Sequence, residues 1–332
     1  MPSITSSSSY LKYYVAVTFA VIGWGLSTSF VEFGLSYINA YLFLALRFSL
    51  ALIIVIPVII MKKGPEILVV MKSPWPYIIA FCETTGLIFQ YIGQNLHVSA
   101  GLSSLLTMMF ILIVPTLSST LLHEKFYRNH AIAIILGFIG LLFIISEGDI
   151  SRLVTSSTSI VGIILLLFSA TSYAFYQITT SKYTREVNRQ ADSIALFYVV
   201  MAMITGFSWV LAYLNSAITF SVPLDGWFWV VMLAIFSTVV AFIGYFEASK
   251  GIPVNTLAIL LMTQMLVPFF IDIFFLHIVY SLWVYSGAAI IVLGMYFVSK
   301  IPLEEDSDNS LRKTIDQSDK MFSPSSKPEI LK

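Results

Sequence analysis

The chain has 332 residues, of which 58% are hydrophobic and only 11% charged, and its formal net charge is zero. A soluble domain of this size carries about a quarter charged residues, so the composition argues against a water-soluble globular fold and for a membrane protein with the lipid bilayer as its first partner. The zero sum says little in itself, since the placement of charge matters more here. Nucleic acid is not an expected partner, and the single cysteine, Cys82, leaves no internal disulfide to form.

Apolar stretches long enough to cross about 30 Å of hydrocarbon fall at 14–31, 38–60, 77–94, 100–121, 131–147, 160–181, 194–213, 227–247, 254–276 and 280–299. The first runs past residue 31 without a small-residue cleavage site, so no cleavable leader is expected. The second holds Arg47, about 12 Å from the outer boundary at ~1.5 Å per residue; it is expected to snorkel outward or to form a structural pair with Glu83. The third reads "YIIAFCETTGLIFQYIGQ". At 100° per residue, Glu83, Gly86, Gln90, Gly93, Gln94 and His97 share one face, and Phe81, Ile88, Phe89 and Ile92 lie off it. An acid at the bilayer centre costs about 2.5–3.5 kcal/mol, so this face is expected to turn inward. Pro115 in the fourth span and Pro268 in the ninth predict kinks. Small residues at Ala133, Gly137 and Gly140 in the fifth span, and at Gly287 and Gly294 in the tenth, predict close helix packing within one chain. A monomer or weak homodimer is therefore expected. Residues 301–332 are polar and rich in Ser, Pro and charge, and read as a disordered tail.

Lysine and arginine set the orientation. With the N-terminus in the cytoplasm, sixteen of the eighteen fall in inner segments, Arg152 alone in an outer one and Arg47 within a span. Both termini are expected in the cytoplasm and the protein in the cell membrane. The chain also repeats: "YIGQNLHVSAGLSSLL" from Tyr91 aligns with "YFEASKGIPVNTLAILL" from Tyr245 at an offset of 154, which pairs Met108 with Met262, His123 with His277 and Gly140 with Gly294. Five spans per copy is an odd number, so the second copy enters the membrane from the opposite side, as in secondary transporters. The expected fold is an all-α polytopic membrane protein with ten transmembrane helices in two inverted five-helix repeats, 14–147 and 160–299, around a central cavity.

"VIGWGLSTSF", "YIGQNLHVSAGLSSLL", "LLHEKF" and "LGFIGLLFI" in the first copy, with "LLFSATSYAFY", "YFEASKGIPVNTLAILL" and "GAAIIVLGMYF" in the second, resemble the EamA-type repeat of the drug/metabolite transporter superfamily. The resemblance implies that spans 1, 3, 4, 6, 8 and 9 line the cavity and that spans 5 and 10 pack behind. Two departures stand out. His123 and Lys125 flank the acid where the family has glycine and arginine, and "LHIV" in the second copy has no acid. Candidate cavity residues are then Trp24 and Ser27 in span 1, Glu83 and Gln90 in span 3, and Ser104 and Thr107 in span 4. Span 6 adds Tyr173, Tyr176 and Gln177, span 8 Thr238 and Tyr245, and span 9 Thr263 and Gln264. Hydroxyls, amides and aromatic rims suit an amphipathic organic solute and make no cage for a bare metal ion.

The expected function is a secondary transporter, exporting a small organic metabolite such as an amino acid by alternating access, with Glu83 as a protonatable contact. No cofactor or metal is expected, and the chain is not expected to be an enzyme. The rivals are a lipid flippase on the same fold, which would need a basic headgroup pocket, and a membrane-embedded enzyme. The histidines of "HEKFYRNH", His123 and His130, are seven apart where a zinc protease needs four. A channel would want rings of charge.

Overall fold

The distribution of side chains is reversed from that of a water-soluble protein. On the third span Phe81 is 61% exposed and Glu83, two residues on, is 5% exposed. Phe19, Phe33, Phe168, Trp283 and Tyr296 likewise cover the outside, which water would not tolerate and lipid favours.

A computed structural model of the chain describes residues 5–96, 106–153, 159–188, 190–219, 221–267, 277, 279–298 and 300. The tail expected to be disordered lies outside them, as do His97, Ser104, Pro268 and Asp272. No strand occurs among the described residues. The helices are α1 (Thr5–Leu35), α2 (Ala40–Val58), α3 (Gly64–Met71), α4 (Trp75–Asn95), α5 (Phe110–Leu121), α6 (Arg128–Ser146) and α7 (Ile160–Lys182). They continue with α8 (Ser193–Leu214), α9 (Leu224–Met232), α10 (Ala241–Ala248), α11 (Val254–Leu261) and α12 (Leu282–Val298). A π-helical stretch, Leu233–Val240, joins α9 to α10 as one rod, and α3 is a short connector. With that rod counted once and α3 left aside, the described residues form ten apolar helices. Local chemistry sets several ends: Asn39 caps α2 by accepting the Tyr41 N–H at 3.0 Å, and Asp192 caps α8 by accepting from Ile194 and Ala195 at 3.0 Å each. Among the described residues five stretches are long and apolar enough to cross a membrane by themselves, from Arg128–Ser146 at 19 residues to Ile160–Val187 at 28. The 21-residue α4 is as long but less apolar, because of its polar stripe.

Helix pairing follows a two-fold rule. α6 packs on α12, α2 on α8 and α5 on α11, while α4 packs on α7 just as the α9–α10 rod packs on α1. Exchanging the first five spans for the last five maps this set of pairs onto itself. The rule holds atom by atom. A Cβ added to Gly140 would meet the Gly287 carbonyl oxygen at 2.6 Å, and shifting both residues by 154 in opposite senses gives Gly294 and Ala133, where the distance is 3.2 Å. These small residues therefore serve packing within the chain. His123 and His277, one repeat apart, both take φ of 53°, a left-handed conformation that few non-glycine residues adopt.

One end of the bundle is traced by contacts. Lys12 pairs with Glu247, Ser193 donates to Glu247, and Lys182 donates to the Leu121 carbonyl. His130 and Thr256 share a hydrogen bond of 3.2 Å, and Asn129 donates to the Phe297 carbonyl. The starts of α1, α6, α8 and α11 thus meet the ends of α5, α7, α10 and α12. This is the lysine-bearing end.

Candidate functional site

The polar face of α4 turns onto α7 of the other half. Gly86 lets the Tyr173 ring lie against the helix: an added Cβ would sit 2.7 Å from that ring. Ser169 donates to the Gly86 carbonyl at 2.8 Å, and Tyr173 donates to Gln90 Oε1 at 2.6 Å. Glu83, on the same face, is buried, and no hydrogen bond reaches its carboxylate among the described residues. Tyr173, Tyr176 and Tyr245 all lie within electrostatic reach of it.

Across this seam the rings of Trp24, Tyr176 and Tyr245 form one cluster with Phe242. Tyr176 stacks on Tyr245 at 5.4 Å, Trp24 tilts against Tyr245 at 5.3 Å and meets Phe242 edge-on at 5.2 Å. Such contacts add about 0.5–1.5 kcal/mol each beyond burial. The hydroxyls of Tyr176 and Tyr245 and the side-chain oxygens of Gln177 and Gln264 are buried with no hydrogen-bond partner among the described residues. Gln264 offers its amide to the Met108 sulfur at 3.8 Å, next to Thr107, which is buried on α5's approach. Ser27 is half-buried one turn along α1 from Trp24. A buried polar atom left unbonded costs about 1–3 kcal/mol. Four at one seam, beside an unbonded carboxylate, form a site whose hydrogen-bonding capacity is unused.

Arg47 departs from its expected role. It is 4% exposed, so it does not snorkel, and among the described residues it forms no ion pair with Glu83, although the two charges feel each other. Rather than pairing with Glu83, its Nε donates to Thr238 Oγ1 at 2.7 Å and its Nη2 to the Ser237 carbonyl at 3.0 Å. The π-helical stretch supplies these acceptors. Thr238 in turn donates five residues back, to Leu233 O at 3.0 Å, and π segments often mark functional sites. Ser237 is also the residue that the 154-residue repeat aligns with Glu83. Arg47 therefore spans from α2 of one half to the position in the other half that corresponds to the acid. The lone cation in an apolar run was the available signal; its partners lie 190 residues away.

At the lysine-bearing end Glu124 is buried just beyond α5. It accepts from the Val254 N–H at 3.1 Å, the Asn255 N–H at 3.4 Å and Asn255 Nδ2 at 3.3 Å, and it pairs with Arg185. Asn255 Oδ1 accepts from Ser118 at 2.9 Å. The first N–H groups of α11 have no partner inside their own helix, and Glu124 supplies one. Burial pushes the Glu124 carboxyl above its ordinary range, while Arg185 and the two N–H groups pull the other way. Among the described residues no group of three or more His, Cys, Asp or Glu side chains is placed to hold a metal ion.

Ten apolar spans in two matched halves, with buried polar groups along the seam between them, define a multi-pass membrane protein of the transporter class. Residues 11–146 and 160–300 each match the EamA-like transporter family, and the chain belongs to that family. It is 22% identical over 292 residues to an uncharacterized transporter of Archaeoglobus fulgidus, a match covering 87% of this chain and 99% of that one. A solved crystal structure superposes with a TM-score of 0.72 at 16% identity, covering 89% of this chain and 96% of the other, which shows the shared fold.

Proposed function

We propose that this transporter is a secondary carrier that moves a small organic metabolite, an amino acid or a related amphiphile, outward across the cell membrane by alternating access. In this reading both termini and the lysine-bearing end lie in the cytoplasm, as the lysine and arginine bias favours. The solute occupies the seam between the halves. Glu83 takes its polar group or a proton, and Trp24, Tyr176 and Tyr245 supply the aromatic wall. Ser27, Gln90, Thr107, Tyr173 and Gln264 complete the lining. The observation that carries the reading is the Glu83 carboxylate, without a hydrogen bond, and the buried Tyr176 hydroxyl, which also lacks a partner among the described residues. A polar solute relieves both deficits at once. The flippase reading is less well supported, because Arg47, the deep cation available to a lipid phosphate, is already committed to Thr238 and Ser237.

The test has two stages. Thermal stabilisation of the purified protein is screened against amino acids, nucleosides, sugars and polyamines, and the class that stabilises is then assayed for flux in proteoliposomes. The expected outcome is flux whose pH dependence disappears in Glu83→Gln. Unchanged flux and unchanged pH dependence in that variant would remove Glu83 from the mechanism.

A further inference from the structure

Resting on the alternating-access reading, we infer that Glu124 and Arg185 are a latch that closes the cytoplasmic end of the seam and parts in every transport cycle. Several contacts between the two halves gather at this end. Glu124 follows α5, in the first half, and three of its four partner groups sit at the start of α11, in the second. The fourth, Arg185, follows α7, also in the second half. Ser118 to Asn255 and His130 to Thr256 cross between the halves within a turn of the same helix start. If the halves rock apart here to admit a solute, Glu124 must leave α11 and Arg185 together.

The acid of the latch is not repeated in the second copy of the sequence. The two-fold relation that carries Gly140–Gly287 onto Gly294–Ala133, and gives His123 and His277 the same φ of 53°, aligns Glu124 with Ile278. Isoleucine cannot accept a hydrogen bond or pair with a cation. At this position the backbone conformation is repeated while the charge is not, so the second copy offers no acid aligned with Glu124. A carrier built this way favours the state closed to the cytoplasm, and solute or thermal motion must break charge-assisted contacts before loading from that side. The departure of "LLHEKF" from its second copy, "LHIV", acquires a role: one repeat keeps the acid and the other dispenses with it.

The experiment needs no knowledge of the solute. Ser181 is buried one helical turn inside Arg185, and Ser→Cys is nearly isosteric. In full-length protein carrying Cys82→Ser and Ser181→Cys, reconstituted in sided vesicles, the rate of modification by a membrane-impermeant maleimide is measured from each face. Glu124→Ala and Arg185→Gln are each expected to raise the rate from the lysine-bearing face on the order of tenfold, the equivalent of one charge-assisted hydrogen bond, and to leave the rate from the other face unchanged. Rates that stay at the parent level in both variants, or that rise equally from both faces, would overturn the latch. Arg185→Gln leaves every backbone contact of Glu124 in place, so it remains informative if Glu124→Ala folds poorly. The outcomes also separate from the transport assignment. A one-sided rise with no flux of any solute class sinks the carrier and keeps the latch, whereas measurable flux with unchanged labelling does the reverse.

Discussion

The mid-membrane seam and the lysine-bearing end use similar residues to opposite effect. At the end, Glu124 has four partner groups, Asn255 uses both its amide oxygen and its nitrogen, and His130 bonds through both ring nitrogens, to the Tyr127 N–H and to Thr256. At the seam, Glu83 has no hydrogen bond, and Tyr176, Tyr245, Gln177 and Gln264 each keep a buried polar atom unbonded among the described residues. A saturated network holds elements together, and an unsaturated one is a standing demand for something to bind. One region is built to hold and the other to receive.

The largest expected effect comes from Arg47, a deep cation at the seam whose hydrogen bonds cross between the two halves. Arg47→Met removes the donors to Thr238 and Ser237 and takes the nearest cation from Glu83. A loss of about 3 kcal/mol is expected, the scale for stranding a buried charge, read as a fall in unfolding temperature in detergent. Adding Glu83→Gln should recover part of that loss. If the two changes simply add, Arg47 and Glu83 are energetically independent, and the seam holds one site and one separate strut.

A smaller effect is expected from pH at the latch. Burial raises the latched Glu124 pKa above its ordinary 4.5, and an opened latch returns the group to water. A group whose pKa is raised in one state favours that state below the ordinary pKa and loses the advantage as pH rises through the raised one. Acidification within that window therefore tightens the latch. In Arg185→Gln the carboxylate loses the cation that opposes its burial, so the variant should open at neutral pH and reclose on acidification. Labelling of Ser181→Cys is compared with Glu124→Ala, where the Glu124 component of the pH dependence should vanish. Opening of Arg185→Gln that persists unchanged into acid would contradict the sign.

Hydropathy, the lysine bias and the 154-residue repeat made the ten spans and their two-fold plan legible, because each is written along the chain at short range. The inward turn of Glu83 was legible for the same reason: Gly86, Gln90 and Gly93 recur with it at helical spacing. The partners of Arg47 were not. Its acceptors are a carbonyl and a hydroxyl 190 and 191 residues on, presented by a π-helical stretch that no local pattern announced. Glu124 was not among the candidate residues for a related reason. Its flanking residues departed from the family motif, whereas what engages it is mostly backbone N–H on a helix 130 residues away, and backbone donors leave no trace in side-chain identity.

The sharpest test of the contrast is its smallest number. Ser118→Ala, at the lysine-bearing end, strands the Asn255 oxygen that Ser118 satisfies, and about 1 kcal/mol of stability should be lost. Tyr176→Phe, at the seam, removes a buried hydroxyl that has no partner to lose. Its ring keeps the stack on Tyr245 at 5.4 Å. The change should therefore lie within ~0.5 kcal/mol of zero, and a slight gain would fit best, since the desolvation cost of an unbonded hydroxyl goes with it. The same variant should weaken whichever solute stabilises the parent protein, because that hydroxyl's partner is supplied only when the site is filled. A clear stability loss in Tyr176→Phe would mean that the hydroxyl already serves the resting fold, and the seam would then be another saturated joint with no vacancy for a solute.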